Sequence, residues 1–265
     1  MMEYALMEKL AAEIKANRKA ALVTLVEEEG SSPGKQGFMM AVFEDGTTMG
    51  TIGGGNFENT ARKYALESME EGKNRLLELE LTESGELHMQ CGGKASVFIK
   101  VFKEKDRLVI AGGGHIALEL YKLGELMGFH AVIIEDREEY GNAERFPGCD
   151  IFIGNIGECM SNYPLDNNCY VVIVTRGHIC DTEALKAAIG RDAAYVGMIG
   201  SRKKTKYVFD QLLDEGCDRS ELEKVYAPIG LDLGGDTASE IAFGILSEIL
   251  LVKNNGHLKH MREIK

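Results

Sequence analysis

Residues 107–137 constrain this chain more than any other stretch. A short apolar run, Leu108 to Ala111, ends in Gly112-Gly113-Gly114. An amphipathic segment follows, with Ile116, Leu120, Leu123 and Leu126/Met127 three or four residues apart, and Gly128 closes it. A second apolar run, Ala131 to Ile134, stops at Glu135-Asp136. This order reads as strand, glycine bend, helix, strand, with an acid at the second strand's end. The bend has the form Gly112-x-Gly114-x-x-Ala117. In a dinucleotide fingerprint the first glycine permits a tight turn, the second admits a phosphate to the backbone, and the third position allows close helix–strand packing. The helix start then offers free N–H groups and partial positive charge to an anion. A tight turn serving packing alone is the plainer reading of the same glycines.

The rest of the chain says what company this unit keeps. Its 265 residues allow two ordinary domains, and 45% hydrophobic content is enough for cores. A net charge of −12 argues against nucleic acid or an anionic membrane surface as the main partner. The start, Met-Met-Glu-Tyr-Ala-Leu-Met-Glu-Lys, mixes charge with apolar residues, unlike a leader segment. No apolar run reaches the roughly 18 residues of a spanning helix, and the longest candidate, Ile241 to Val252, is interrupted by Glu248. Six scattered cysteines without a Cys-x-x-Cys pair fit a reduced, cytoplasmic protein, with no zinc cluster or disulfide frame expected.

Residues 1–103 alternate between helix and strand patterns in a way that predicts a smaller α+β domain. A helix over 2–18 leads to strands at Ala20–Val26, Gly37–Phe43 and Thr48–Ile52, with Asp45-Gly46 as a hairpin turn. Gly53-Gly54-Gly55 opens a helix from Phe57 to Glu71, and strands follow at Leu76–Leu81 and Ala95–Phe102. Charged Lys103-Glu104-Lys105-Asp106 reads as the boundary. Residues 106–265 then predict a Rossmann-like, doubly wound and mostly parallel sheet, with further strands at Asp150–Ile153, Tyr170–Val174 and Ala194–Ile199. Asp181 reads as a helix N-cap, Arg202 to about Asp214 as a helix, and Thr237 with Glu240 as the capping box of a last helix.

Candidate site residues gather where the strands end. Gly112, Gly114 and His115 form the bend; Glu135 and Asp136 are placed to meet ribose hydroxyls and to repel a 2′-phosphate, favouring NAD over NADP if a nicotinamide cofactor binds. Arg176 and His178 follow one strand, Gly200, Ser201 and Arg202 another, and Asp232 lies in a glycine loop. Arg202-Lys203-Lys204-x-Lys206 is a basic knot at a helix start, where the macrodipole prefers acids; a bound phosphate would relieve it, and a solvated face is the alternative. Cys91, in Cys91-Gly92-Gly93-Lys94, sits where amides and a lysine favour thiolate, though a small residue in a tight turn fits too. Cys149, Cys159, Cys169 and Cys217 read as structural; Cys180 stays open. The spacing of His88, His115 and His178 supports no metal site.

Taken in order, these motifs resemble the XdhC/CoxI-like maturation factors of molybdenum hydroxylases, the xanthine dehydrogenase accessory proteins. The resemblance rests on Gly30-Ser31-Ser32-Pro33, Thr51-Ile52-Gly53-Gly54-Gly55 with Glu58, Cys91-Gly92-Gly93, Ala111 to His115, Glu135-Asp136-Arg137, Thr175-Arg176-Gly177-His178 with Asp181, Tyr195 to Arg202, and Ala227 to Asp232. It implies binding of the molybdenum cofactor (molybdopterin), help with its sulfuration, and delivery to a hydroxylase. A cysteine desulfurase and a xanthine dehydrogenase-like enzyme are the implied partners, and a homodimer the implied assembly. Cys91 would touch the metal or sulfur if the smaller domain closed over the crevice. Two other readings stand beside it. One is an NAD-dependent oxidoreductase with His178 as acid/base, for which no independent catalytic set such as Tyr-x-x-x-Lys is present. The other is a non-catalytic nucleotide sensor or scaffold.

Overall fold

The computed structural model describes residues 2–81 and 93–263. Cys91, Gly92 and His88 lie outside the described residues. The chain divides into two compact units, Met1–Glu104 and Lys105–Lys265.

In the first unit, α1 (Met2–Lys15) precedes β1 (Ala20–Glu29), β2 (Met39–Phe43) and β3 (Thr48–Gly50); α2 (Gly55–Glu71) precedes β4 (Arg75–Leu81) and β5 (Gly93–Phe102). The strands form an antiparallel sheet in the order β3-β2-β1-β5-β4. Alternation decides which helix covers which face. Ala21, Val23, Leu25, Val97, Ile99 and Val101 meet Phe57, Ala61, Ala65 and Met69 of α2. Ala20 and Ala41 on the opposite face meet Leu6 and Leu10 of α1.

The second unit runs β6 (Arg107–Ala111), α3 (His115–Leu126), β7 (His130–Glu135), β8 (Asp150–Ile153), α4 (Ile156–Asn162), β9 (Cys169–Ile173), α5 (His178–Ala188), β10 (Tyr195–Met198), α6 (Arg202–Asp214), α7 (Arg219–Leu222) and α8 (Ala238–Asn254). All pairings are parallel, in the order β10-β9-β6-β7-β8. Counted from β6, that is the Rossmann order, reversing between β6 and β9. β6, β7 and β9 read as nearly continuous apolar runs because both their faces are covered, whereas β8 at the sheet edge is largely exposed. Val109, Ala111, Val132, Ile134, Val171 and Ile173 pack on α4, α5 and α6. Leu108, Ile110, Ala131, Ile133 and Val172 pack on Ala117 and Leu120 of α3 and Ala242, Ile245 and Ile249 of α8.

Several sequence expectations change in detail. Asp181 does not cap α5. The cap position is Gly177, with φ +95°, and Asp181 is fully buried inside the first turn, accepting from Thr175 Oγ1 at 2.6 Å. The capping box of α8 forms as expected from Thr237 and Glu240. Glu248, the acid that interrupts the apolar run, accepts from Tyr195 Oη (2.5 Å) and Gly230 N (3.0 Å) and so pins the glycine loop before α8. Among the described residues no helix is long and apolar enough to cross a membrane.

Candidate functional site

At the reversal point the carboxyl ends of β6, β7 and β9 enclose a cavity of about 290 Å³, lined by Gly112, Gly113, Gly114, His115, Glu135, Arg137, Tyr140, Val174, Thr175 and Arg176. Ligands of open parallel sheets bind at this place. The three glycines are not equivalent there. Gly112 has φ +108°, and a Cβ on it would lie 2.7 Å from the Val174 carbonyl oxygen. A Cβ on Gly113 would lie 2.6 Å from the Tyr140 carbonyl oxygen. These two are required by the chain's own backbone. Gly114 is different: φ is an ordinary −73°, and a Cβ would meet nothing within 4 Å. It is the N-cap of α3, and no side chain caps that helix. The first-turn amides of α3 are therefore left for an outside acceptor.

Glu135 explains why Gly113 contributes no amide to that cradle. Its side chain is buried, and Oε2 accepts from Gly113 N at 2.6 Å. Oε1 accepts from Arg137 Nε (2.9 Å), Asp136 N (3.1 Å) and Arg137 N (3.2 Å), and Arg137 also donates to Oε2 at 3.2 Å. Burial works against the charge, but bonds from Arg137, Asp136 and the Gly113 amide outweigh it and hold the carboxyl at about 2. The carboxylate expected to receive a ribose hydroxyl is thus filled by protein donors. Asp136, with 47% of its side chain exposed, lies 3.4 Å from Arg137 Nε; its pKa is raised by the neighbouring Glu135 carboxylate and by burial.

No helix joins β7 to β8. The connection instead folds back over the bend, a role that Arg145-Phe146-Pro147 did not disclose in the sequence. Arg137 stacks on Tyr140 at 4.0 Å and Arg145 lies 5.3 Å from the same ring. Arg145 donates to the Gly113 carbonyl at 2.8 Å, while its Nε is buried without a hydrogen-bond partner.

The remaining predicted residues divide. His115, exposed, and Arg176 join the bend in lining the cavity. His178 begins α5, exposed and edge-on to Tyr207 at 5.4 Å, outside the lining. Ser201 caps α6, accepting from Lys204 N at 3.2 Å. The basic knot is largely met from within: Lys204 pairs with buried Asp181, and Lys206 with Asp210 at 2.6 Å. Gly200 sits against the Lys204 side chain. Arg202 turns into a separate groove between α6 and α7. Asp232 is exposed and accepts from Gly234 N at 3.2 Å within its own loop. None of the five described cysteines lines the cavity. Burial raises the Cys180 thiol and pushes Cys149 up to about 12, so neither is poised as a thiolate.

Fold and cavity together define a Rossmann-type unit that follows an antiparallel α+β unit in the chain. Residues 108–249 match the XdhC Rossmann domain, and residues 13–80 match the XdhC and CoxI family. The chain belongs to the XdhC and CoxI family. It is 32% identical to the uncharacterized protein YqeB of Escherichia coli K12 over 89% of this chain, but spans only 44% of that relative's length. It is 23% identical to the molybdenum cofactor insertion chaperone PaoD of the same organism, over 90% of this chain and 85% of the relative. A crystal structure of a xanthine dehydrogenase from Bacillus halodurans shares the fold, with a TM-score of 0.54, 19% identity and 97% of each chain covered.

Proposed function

We propose that this chain binds the molybdenum cofactor at the glycine bend of its second unit, holds it for sulfuration, and passes it to a molybdenum hydroxylase of the xanthine dehydrogenase type. The observation that carries the reading is Gly114, the one glycine of the three that the fold leaves open, at an uncapped helix start beside Arg176. These residues fit the phosphate end of molybdopterin. The amides of the first turn of α3 would bond its oxygens, and Arg176, which makes no ion pair or hydrogen bond among the described residues, would add charge. Asp136, paired with Arg137 at 3.4 Å but half-exposed, is the carboxylate proposed to meet hydroxyl or amino groups of the guest. The filled Glu135 carboxylate speaks against the ribose of NAD as that guest. When bound, the cofactor supplies a molybdenum centre whose oxo ligand can be exchanged for sulfur. Support for the cargo comes from family membership and from the relative named as a molybdenum cofactor insertion chaperone.

A cysteine desulfurase is the proposed sulfur source, a hydroxylase the acceptor, and a homodimer the working assembly. His178 is the proposed acid/base beside the crevice, and Cys91 the proposed sulfur-contacting thiol. The test is to isolate the full chain from cells that make the cofactor and from cells blocked in pterin synthesis, then measure pterin fluorescence after oxidation. Near-stoichiometric pterin in the first sample only, lost in Arg176→Ala, is the expected result. Pterin absent from both samples, or undiminished in Arg176→Ala, would overturn the site. Cys91→Ala should load normally yet deliver poorly sulfurated cofactor, and normal sulfuration would remove Cys91 from the reading.

A further inference from the structure

The groove that takes Arg202 has features that the crevice does not explain. It lies between α6 and α7, has a volume of about 320 Å³, and is lined by Phe209, Leu213, Leu222 and Pro228 together with Arg202 and Arg219. Most basic side chains of this unit are tied to carboxylates, as in Arg107–Asp166, Lys122–Glu119, Lys186–Glu215 and Lys224–Glu221. Arg202 and Arg219 are exposed, and their guanidiniums make no ion pair or hydrogen bond among the described residues. In a chain of net charge −12, two unpaired guanidiniums over an apolar trough are a local exception. A third observation lies in the wall. Thr205 is 7% exposed, lines the same groove, and its buried Oγ1 has no hydrogen-bond partner.

We propose that this groove docks a short acidic segment of a partner protein, one that carries a large apolar side chain. Guanidinium forks match carboxylates in geometry as well as charge, and recognition of acidic motifs by arginine clusters is a recurrent binding mode. The apolar lining gains when a side chain displaces its water. The volume is at the small end of the roughly 300–1,000 Å³ of small-molecule pockets, which suits one or two side chains. Asp210 is committed to Lys206, and Glu223 also lines the groove, so the two arginines take the occupant's acids and Phe209, Leu213 and Leu222 its apolar side chain. Arg202 follows β10, two strands from β6 in the sheet, so the Arg202 end of the groove starts at the same carboxyl edge as the crevice, and the groove runs from there along α6 to Leu213. The proposal goes beyond the cofactor reading and does not depend on which guest the crevice takes.

The test titrates the full chain into a fluorescent peptide of alternating glutamate and phenylalanine, with a lysine-for-glutamate peptide as its counterpart, and follows anisotropy. The acidic probe should bind and weaken with added salt, and the basic one should not bind. Arg202→Glu and Arg219→Glu should each weaken binding about fivefold, and the double variant roughly 25-fold. Lys203→Glu makes the same charge change on α6 outside the lining and should leave affinity unchanged. Equal binding of both peptides, indifference to both Arg variants, or an equal loss in Lys203→Glu overturns the proposal. Displacement of the probe by millimolar inorganic phosphate assigns a simple anion site, and a dimer abolished by the double variant assigns a second copy of the chain; either result also overturns it.

Discussion

The chain builds a glycine trio before a helix twice, and uses it differently each time. At Gly53-Gly54-Gly55 all three glycines have positive φ, and a Cβ on Gly53 would lie 2.6 Å from Gly34 N. The carboxylate that serves this bend is local: Glu58, in the first turn of α2, accepts from Thr51 Oγ1 (2.6 Å), Gly54 N (3.1 Å) and Ile52 N (3.3 Å). At Gly112-Gly113-Gly114 only the first has positive φ, and the carboxylate, Glu135, arrives from the end of the next strand. The first bend spends its glycines on its own turn. The second leaves Gly114 over. A run of glycines is therefore weak evidence of a ligand until each one has been asked what its missing side chain would strike and what φ it holds: Gly54 and Gly55 also strike nothing but have positive φ, whereas Gly114 is bound by neither constraint.

Substitutions can break or sharpen that contrast, from the largest effect on stability to none. Gly112→Ala should cost about 3 kcal/mol, because positive φ and a 2.7 Å approach to the Val174 carbonyl are both penalised. Thermal unfolding should fall by roughly 10 °C. A loss under about 0.5 kcal/mol, the range of a surface substitution, would mean the bend relaxes freely. Glu135→Ala should cost about 2–3 kcal/mol by stranding the Gly113 amide and the Arg137 guanidinium.

The same carboxylate sets a pH dependence. Its pKa is held at about 2 against an ordinary 4.5, so its contribution is fully present above pH 4.5 and is lost as pH falls towards 2. Over that window wild type should lose stability that Glu135→Gln does not, offset in part by Asp136, whose raised pKa favours the fold as pH falls. Parallel acid-unfolding curves for the two proteins would contradict the assignment. Glu58→Ala, by comparison, removes a local acceptor at a half-buried position and should cost about 1 kcal/mol. Gly114→Ala should leave stability within about 0.5 kcal/mol, since nothing lies within 4 Å of the added carbon. Cofactor loading should nevertheless fall sharply, because that carbon occupies the cradle. Full loading of Gly114→Ala would erase the distinction between the two bends.

Much of this was readable before any coordinates. The uninterrupted apolar runs of β6, β7 and β9 mark strands buried on both faces, and the alternation in β4 and β5 marks strands with one buried face. Short helices were harder: α4 and α7 are seven and four residues long, too short for periodicity, and only their caps, Asn155 and Asp218, announce them. Pairings distant in sequence were not readable either. The basic knot looked like an anion site because Asp181, which neutralises Lys204, sits on another helix; Lys206–Asp210 was legible at helical spacing. Glu135 was correctly placed at the strand's end, but nothing in a linear reading reveals that Gly113 and Arg137 fill its oxygens.

The buried Asp181 has one further effect. It is bonded to Thr175, which follows β9, and ion-paired to Lys204, in the first turn of α6. One carboxylate thus ties the wall of the crevice to the helix whose Arg202 faces the second groove. Strain applied at either opening has a mechanical route to the other, and severing that tie at Lys204 would let the two openings respond separately.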